Sequence, residues 1–155
     1  MRREIVRIEI LRFRSAWARL VAAIPQFKMS ISYQSAFSNG LLAITAEGRD
    51  DSIQDVIDYG CAVIELAIKH GARKIFCDER RLEYALDAFD TYQSAKEIAA
   101  RADRVVRVAI VCAPEFLADG KFWETVAVNR SLEVRVDTDI ERAKAWLEDD
   151  ENPPG

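Results

Sequence analysis

Histidine occurs once in these 155 residues, cysteine three times and proline four times. Each scarcity closes off a class of chemistry. A lone His70, with Cys61, Cys77 and Cys112 in no C-x-x-C spacing, offers no ligand set for zinc, and no metal is expected. Three cysteines cannot form a complete set of disulfides. Cys77 and Cys112 stand in apolar, strand-like runs, where cysteine behaves as a small hydrophobe. That usage fits a reducing compartment, so a cytoplasmic protein is expected. No uninterrupted apolar stretch reaches the roughly 18 residues of a membrane span. Arg12, Arg14 and Arg19 break the segment that a signal peptide would keep purely apolar. The chain also lacks G-x-S-x-G, P-loop and G-x-G-x-x-G motifs, so no cofactor is expected.

What is present reads as an ordinary globular protein. Hydrophobic residues make up 50% and charged residues 31%, which argues against disorder, and the length suits one domain. The net charge of −4 hides an asymmetry. Residues 1–28 hold seven basic and two acidic side chains, whereas residues 29–155 hold 15 basic and 24 acidic. An acidic body does not suit nucleic acid, because neutralising phosphates requires clustered Lys and Arg.

Periodicity divides the chain. Val6, Ile10, Phe13, Trp17, Leu20 and Ile24 follow helical spacing, flanked by arginines, and Pro25 ends that helix. Residues 30–37 and 41–46 flank Ser38-Asn39-Gly40, and Asn-Gly is a hairpin signal. A helix is expected over 52–70, with Ser52 and the preceding aspartates at its N-terminus and Gly71 at its end. Its expected buried face carries Ile53, Val56, Ile57, Gly60, Ile64, Ala67 and Ile68. Then come a strand at 74–78, a loop at 79–90, a helix over 91–102 and a continuously apolar strand at 105–112. A loop at 113–121, a helix over 122–129 and a strand at 132–136 follow. The capping box Thr138-Asp139-Ile140-Glu141 opens a last helix, which ends near Leu147 before an acidic tail at 149–155. Alternating strands and helices predict an α/β fold: a mixed, mostly parallel sheet with an N-terminal β-hairpin, flanked by helices.

At this point two stretches resemble a known family. DGKFWETVAVNRSLEVRVDTDIERAKAWL is similar to the C-terminal pattern of bacterial SpoIIAA-like proteins of the STAS type, and KIFCDERRLEYALDAFDTY resembles their central strand and following loop. The resemblance covers residues 29 to 147; the closing stretch is its specific part. It implies a mixed sheet flanked by helices. The implied roles are regulation in the manner of an anti-sigma-factor antagonist or, through fold kinship with CRAL-TRIO domains, binding of an apolar ligand at a membrane surface. Two features depart from the pattern. Antagonists of this family carry a phosphorylated serine just after the central strand, whereas Asp78 is followed by Glu79-Arg80-Arg81. Residues 1–28 extend beyond the family, with Met29 placed as a natural start, so the expected domain is 29–148.

Loops that leave neighbouring parallel strands at their C-terminal ends form the usual ligand edge of an open α/β sheet. Asp78, Arg80, Leu82, Tyr84, Phe89, Tyr92, Phe116, Phe122 and Trp123 are the ligand-binding candidates, as an apolar cleft. Against that stands simple closure of the core by the same aromatics. Asp78 and Glu79 could act as paired carboxylates in a small hydrolase or transferase, yet no nucleophile–base pair accompanies them. His70 before Gly71 reads as a helix-end cation. Thr91 and Ser94 open a helix where a phosphate could sit, paired with Arg80 or Arg81; ordinary capping is the plainer reading. The basic N-terminal helix could dock on the domain, on a second subunit in a homodimer, or on an anionic membrane. The expected function is therefore a non-catalytic module for a protein partner or a small apolar ligand, with the enzyme and the membrane-peripheral lipid binder as alternatives.

Overall fold

The computed structural model describes residues 30–102, 105 and 107–149. The expected N-terminal helix and the acidic tail beyond residue 149 lie outside them. The elements run β1 (Ile31–Ser38), β2 (Leu41–Arg49), α1 (Ile53–His70), β3 (Lys74–Glu83), α2 (Ala88–Ala99), β4 (Arg107–Cys112), α3 (Leu117–Val128), β5 (Val134–Asp137) and α4 (Ile140–Glu148). A single 3-10 turn, Pro114–Phe116, leads into α3. The sheet order is β1-β2-β3-β4-β5. Only β1 and β2 pair antiparallel; the three other pairings are parallel. This is the mixed α/β architecture expected from the sequence.

Local chemistry accounts for most of the boundaries. Asn39 and Gly40 both take positive φ, 51° and 78°, as a two-residue hairpin turn whose twist matches its strands requires. Ser52 caps α1 by accepting the Asp55 amide at 3.1 Å, and Gly71 ends the helix. The buried side of α1 includes Tyr59, Cys61 and Val63, while Ile68, expected inside, is exposed. Residues 60, 63, 64 and 67 centre the packed stripe, and position 68 lies about 100° of helical rotation beyond 67.

The sheet is covered on both sides. Ile31, Leu42, Ile44, Ile75, Cys77, Val108, Ile110, Val134 and Val136 form one face, packed with α1, α2 and Ala127 of α3. Phe76, Ala109 and Val111 form the other, under Ala143 and Leu147 of α4. At Gly60 a Cβ would lie 2.4 Å from Ile98 Cδ1, so the missing side chain is what lets α1 and α2 approach. On the edge strand β5, Glu124 Oε2 accepts the Val136 amide at 2.6 Å, which occupies part of an otherwise open edge.

Four expectations need correction. Residues 79–83 belong to β3 rather than to a loop, because a β-bulge inserts an extra residue between the pairs Thr45↔Asp78 and Glu47↔Arg81. The bulge interrupts the two-residue alternation that marks a strand in sequence. Helix α2 starts at Ala88, capped by Asp87, whose side chain accepts the Asp90 amide at 2.8 Å. Helix α3 starts at Leu117, five residues earlier than expected, so both expected long loops shrink to short links. Helix α4 is capped by Asp139 through the Arg142 amide, not by Thr138.

Candidate functional site

Strand alternation decides which side chains of β3 face the helices. Ile75, Cys77 and Glu79 point towards α1 and α2, whereas Phe76 and Asp78 point to the α4 side. The bulge then shifts the phase by one residue, returning Leu82 and Tyr84 to the helix side. A straight strand would have sent Arg81 and Glu83 inward instead. The irregularity thus places an apolar residue and a tyrosine at the C-terminal edge of the sheet, beside a buried carboxyl group.

That carboxyl group is Glu79. Its Oε1 accepts from the Tyr59 hydroxyl at 2.9 Å, and its Oε2 accepts from the Tyr84 hydroxyl. Glu79 is buried, and desolvation raises its pKa, partly offset by the two tyrosine donors. Burial and the neighbouring Glu79 in turn hold both phenols well above the usual tyrosine range. Burial also pushes up the Cys77 thiol, one turn of alternation away. A second buried acid, Asp50, follows β2. It accepts the Ala85 amide, and its own amide donates to the Glu83 carbonyl at 3.0 Å. Desolvation raises its pKa to about 6 against backbone hydrogen bonds from Ala85 and Leu86 that lower it. Asp50 therefore pins the β3–α2 link rather than supplying charge to the start of α1, as its place in the GRDDS stretch suggested.

Both acids face one cavity of about 100 Å³ between the sheet and helices α1, α2 and α3. Its floor is apolar, with Ile75, Val63 and Ile110 among the lining residues. Towards the C-terminal edge the lining becomes partly exposed at Tyr84, Leu86, Trp123 and Asp119, so access is from that edge. Space of this order suits a ligand near the size of benzene.

The candidates from sequence divide between this cavity and the surface. Leu82, Tyr84 and Trp123 line it, and Phe116 packs on Tyr84 with ring centroids 5.5 Å apart. Asp78 and Arg80 do not line it: they pair with each other at 2.7 Å, and Asp78 lies on the opposite face of the sheet. The guanidinium of Arg80 holds the Asp78 carboxyl below its ordinary value. Asp78 and Glu79 are therefore not paired carboxylates, since adjacent strand residues point to opposite faces. Phe89, Tyr92 and Phe122 turn outward, with 67%, 37% and 41% of their surface exposed. They were expected in the cleft because they fall in the first turns of helices, but both helices begin earlier and rotate them away. Tyr92 instead carries the Arg130 guanidinium, 5.0 Å over its ring, and accepts from Arg130 Nη2 at 2.8 Å.

Thr91 and Ser94 are buried within α2, not placed at its cap. The Ser94 hydroxyl donates to the Thr91 carbonyl at 2.9 Å, so neither side chain is presented on the surface for phosphorylation. Arg80 is engaged with Asp78 instead. His70 ends α1 and stacks on Phe37, with ring centroids 5.1 Å apart. Among the described residues no group of three His, Cys, Asp or Glu side chains is placed to hold a metal ion, and no helix is long and apolar enough to cross a membrane.

The comparisons with known proteins agree with the architecture. A crystal structure of an anti-sigma factor antagonist from Mycobacterium paratuberculosis aligns with a TM-score of 0.54, covering 79% of this chain and 97% of that one at 12% identity. At that identity the likeness defines the fold, which is the STAS-type fold that the two sequence stretches resembled. No family model and no curated protein matches the sequence.

Proposed function

We propose that this protein is a non-catalytic regulatory module of the STAS type, which binds a protein partner through the outer faces of α2 and α3. The observation that carries this reading is the outward placement of aromatic residues on those helices. Of the six large hydrophobic residues exposed among the described ones, Phe89, Tyr92, Phe122 and Val128 belong to this pair of helices. Exposed aromatic side chains are costly for a free domain and are enriched at the centres of protein interfaces. The fold neighbour, an antagonist of an anti-sigma factor by its name, is a precedent for a STAS fold that acts on another protein. The serine switch of such antagonists does not transfer, because Glu79-Arg80-Arg81 continues the strand where the phosphorylated turn would lie.

The test is capture of partners by the wild-type protein and by a Phe89→Ala/Phe122→Ala variant, with the captured proteins identified and titrated. Both side chains are largely outside the core, so the variant is expected to keep its melting temperature. Loss of hot-spot aromatics weakens binding by at least about 30-fold. Undiminished affinity in the folded double variant would remove this surface from consideration.

The cavity favours a second reading, a small apolar ligand. It lies at the sheet edge where α/β proteins commonly bind ligands, and Leu82, Tyr84 and Trp123 line it. The two readings are compatible, since α2 and α3 form the cavity roof from within and the partner surface from without.

A further inference from the structure

We propose that the cavity beneath α1, α2 and α3 selects a compact organic ammonium, an apolar body about the size of a benzene ring carrying one protonated amine, and excludes carboxylates. The proposal rests on the small-ligand reading and gives that ligand its chemical class. Three features of the lining support it.

The first is the sign of the charge available. Asp50, Glu79 and Asp119 line the cavity, and no Lys, Arg or His does so among the described residues. An anionic ligand would bring a further negative charge into a desolvated space with no cation to meet it, which is the costliest arrangement for a buried ion. A fatty acid or a phosphate monoester fits badly for this reason. An ammonium would meet the buried carboxyl group of Glu79, whose hydrogen-bond donors are two neutral phenols, with Asp50 nearby and Asp119 at the open edge.

The second is unused acceptor capacity. A carboxylate offers about four lone-pair directions. Glu79 uses one on each oxygen, for Tyr59 and Tyr84. The two phenols fix the carboxyl group in place without exhausting it, so an N–H donor entering the cavity finds an oriented acceptor.

The third is the aromatic surround. Tyr59, Tyr84 and Trp123 all line the same space. Aromatic faces attract ammonium ions through the ring quadrupole, and more strongly where water is excluded. The remaining lining is aliphatic and suits a hydrocarbon body. The volume of about 100 Å³ limits that body to roughly a single ring or a short branched chain.

The experiment is calorimetric titration of the full chain with three molecules of nearly one shape, benzylammonium, benzyl alcohol and benzoate, at neutral pH. Benzylammonium is expected to bind about tenfold more tightly than benzyl alcohol, a modest cation–π and charge preference, with benzoate showing no binding. Glu79→Gln keeps the shape of the side chain and one acceptor oxygen, turns the other into an N–H donor that a tyrosine hydroxyl can accept, and removes the charge; it should bring the amine down to the level of the alcohol. Asp50→Asn provides a second variant if Glu79→Gln does not fold. Equal binding of amine and alcohol to the wild type would leave the cavity as a ligand site and overturn the ammonium class. Binding of benzoate as tight as that of the amine would do the same. Failure of all three to bind the folded protein would overturn the ammonium class and the small-ligand reading together, leaving the partner surface unaffected.

Discussion

At the scale of single residues, the two buried acids define how the protein responds to pH. Asp50 is only 7% exposed, and its pKa is raised from 3.8 to about 6. A raised carboxyl pKa means that the folded state holds the proton more tightly than the unfolded chain. Stability then falls as pH rises from about 4 to about 6, and the penalty is complete above that window. A shift of this size corresponds to at most about 3 kcal/mol. Glu79 acts in the same direction. Asp78 and Asp137 act oppositely: Arg80 and Arg142 hold their carboxyl groups below the ordinary value, so their contribution is lost only as pH falls below about 4. The melting temperature is therefore expected to rise on acidification from pH 7 to about 4 and to fall at lower pH. Asp50→Asn should flatten the upper limb while leaving the acid limb in place. An unchanged upper limb in Asp50→Asn would show that this carboxyl group is not its source.

Residue identity alone singles out Asp78 of the Asp78-Glu79 pair, whereas the cavity is lined by Glu79. Asp78 attracted attention as the carboxylate that closes an apolar strand, yet alternation through Ile75, Cys77 and Glu79 places the latter inside. That signal is present in the sequence, because positions 75, 77 and 79 share a face once the strand is known to continue. Asp50 carried no comparable signal. An aspartate two residues before a helix cap reads as helix-dipole chemistry, and only the long-range contact with Ala85, 35 residues away, shows its other use.

At the scale of elements, turns and caps made of Asn, Gly, Ser and Asp are legible because their chemistry is local. The hairpin around Asn39-Gly40, α1 between Ser52 and Gly71, and the order of the nine elements among the described residues follow from such signals together with periodicity. The bulge in β3 is not local: it depends on how residues 45–47 pair with residues 78–81. Glycine positions separate the two cases experimentally. At Gly40, φ is +78° and a Cβ would meet nothing within 4 Å, so Gly40→Ala is expected to cost about 1 kcal/mol of backbone strain. At Gly48, φ is +116° and a Cβ would lie 2.0 Å from the Ser30 carbonyl oxygen. That site sits where β2 meets both β1 and β3, paired with Ile31 and with Leu82. Gly48→Ala adds a backbone clash to an unfavourable φ and should cost about 3 kcal/mol or more. Urea unfolding of the two variants checks the order. Equal losses would mean that the hairpin base yields without cost.

At the scale of the whole molecule, the question is what the described residues need from the rest of the chain. A five-stranded sheet, its two packed faces and the caps of α1, α2 and α4 are formed by residues between 30 and 149. The two ends of that span are tied in by specific contacts. Ser30 Oγ donates to Asp55 Oδ2 at 2.6 Å, and the Arg49 amide donates to the Ser30 carbonyl at 3.0 Å. At the other end, buried Arg107 donates to the carbonyl of Trp146 at 3.1 Å and to that of Asp149, and it pairs with Glu133 at 2.8 Å. Its guanidinium also lies 5.3 Å from the Trp146 ring, so α4 is held on the sheet by its C-terminal end. We expect the fragment 29–155 to fold cooperatively, with a melting temperature within a few degrees of the full chain. A difference of that size corresponds to about 1 kcal/mol for a domain of this length. Circular dichroism melts of the two proteins at equal concentration provide the comparison. A fragment that is unfolded, or that melts without cooperativity, would show that the stripe from Val6 to Ile24 supplies part of the core.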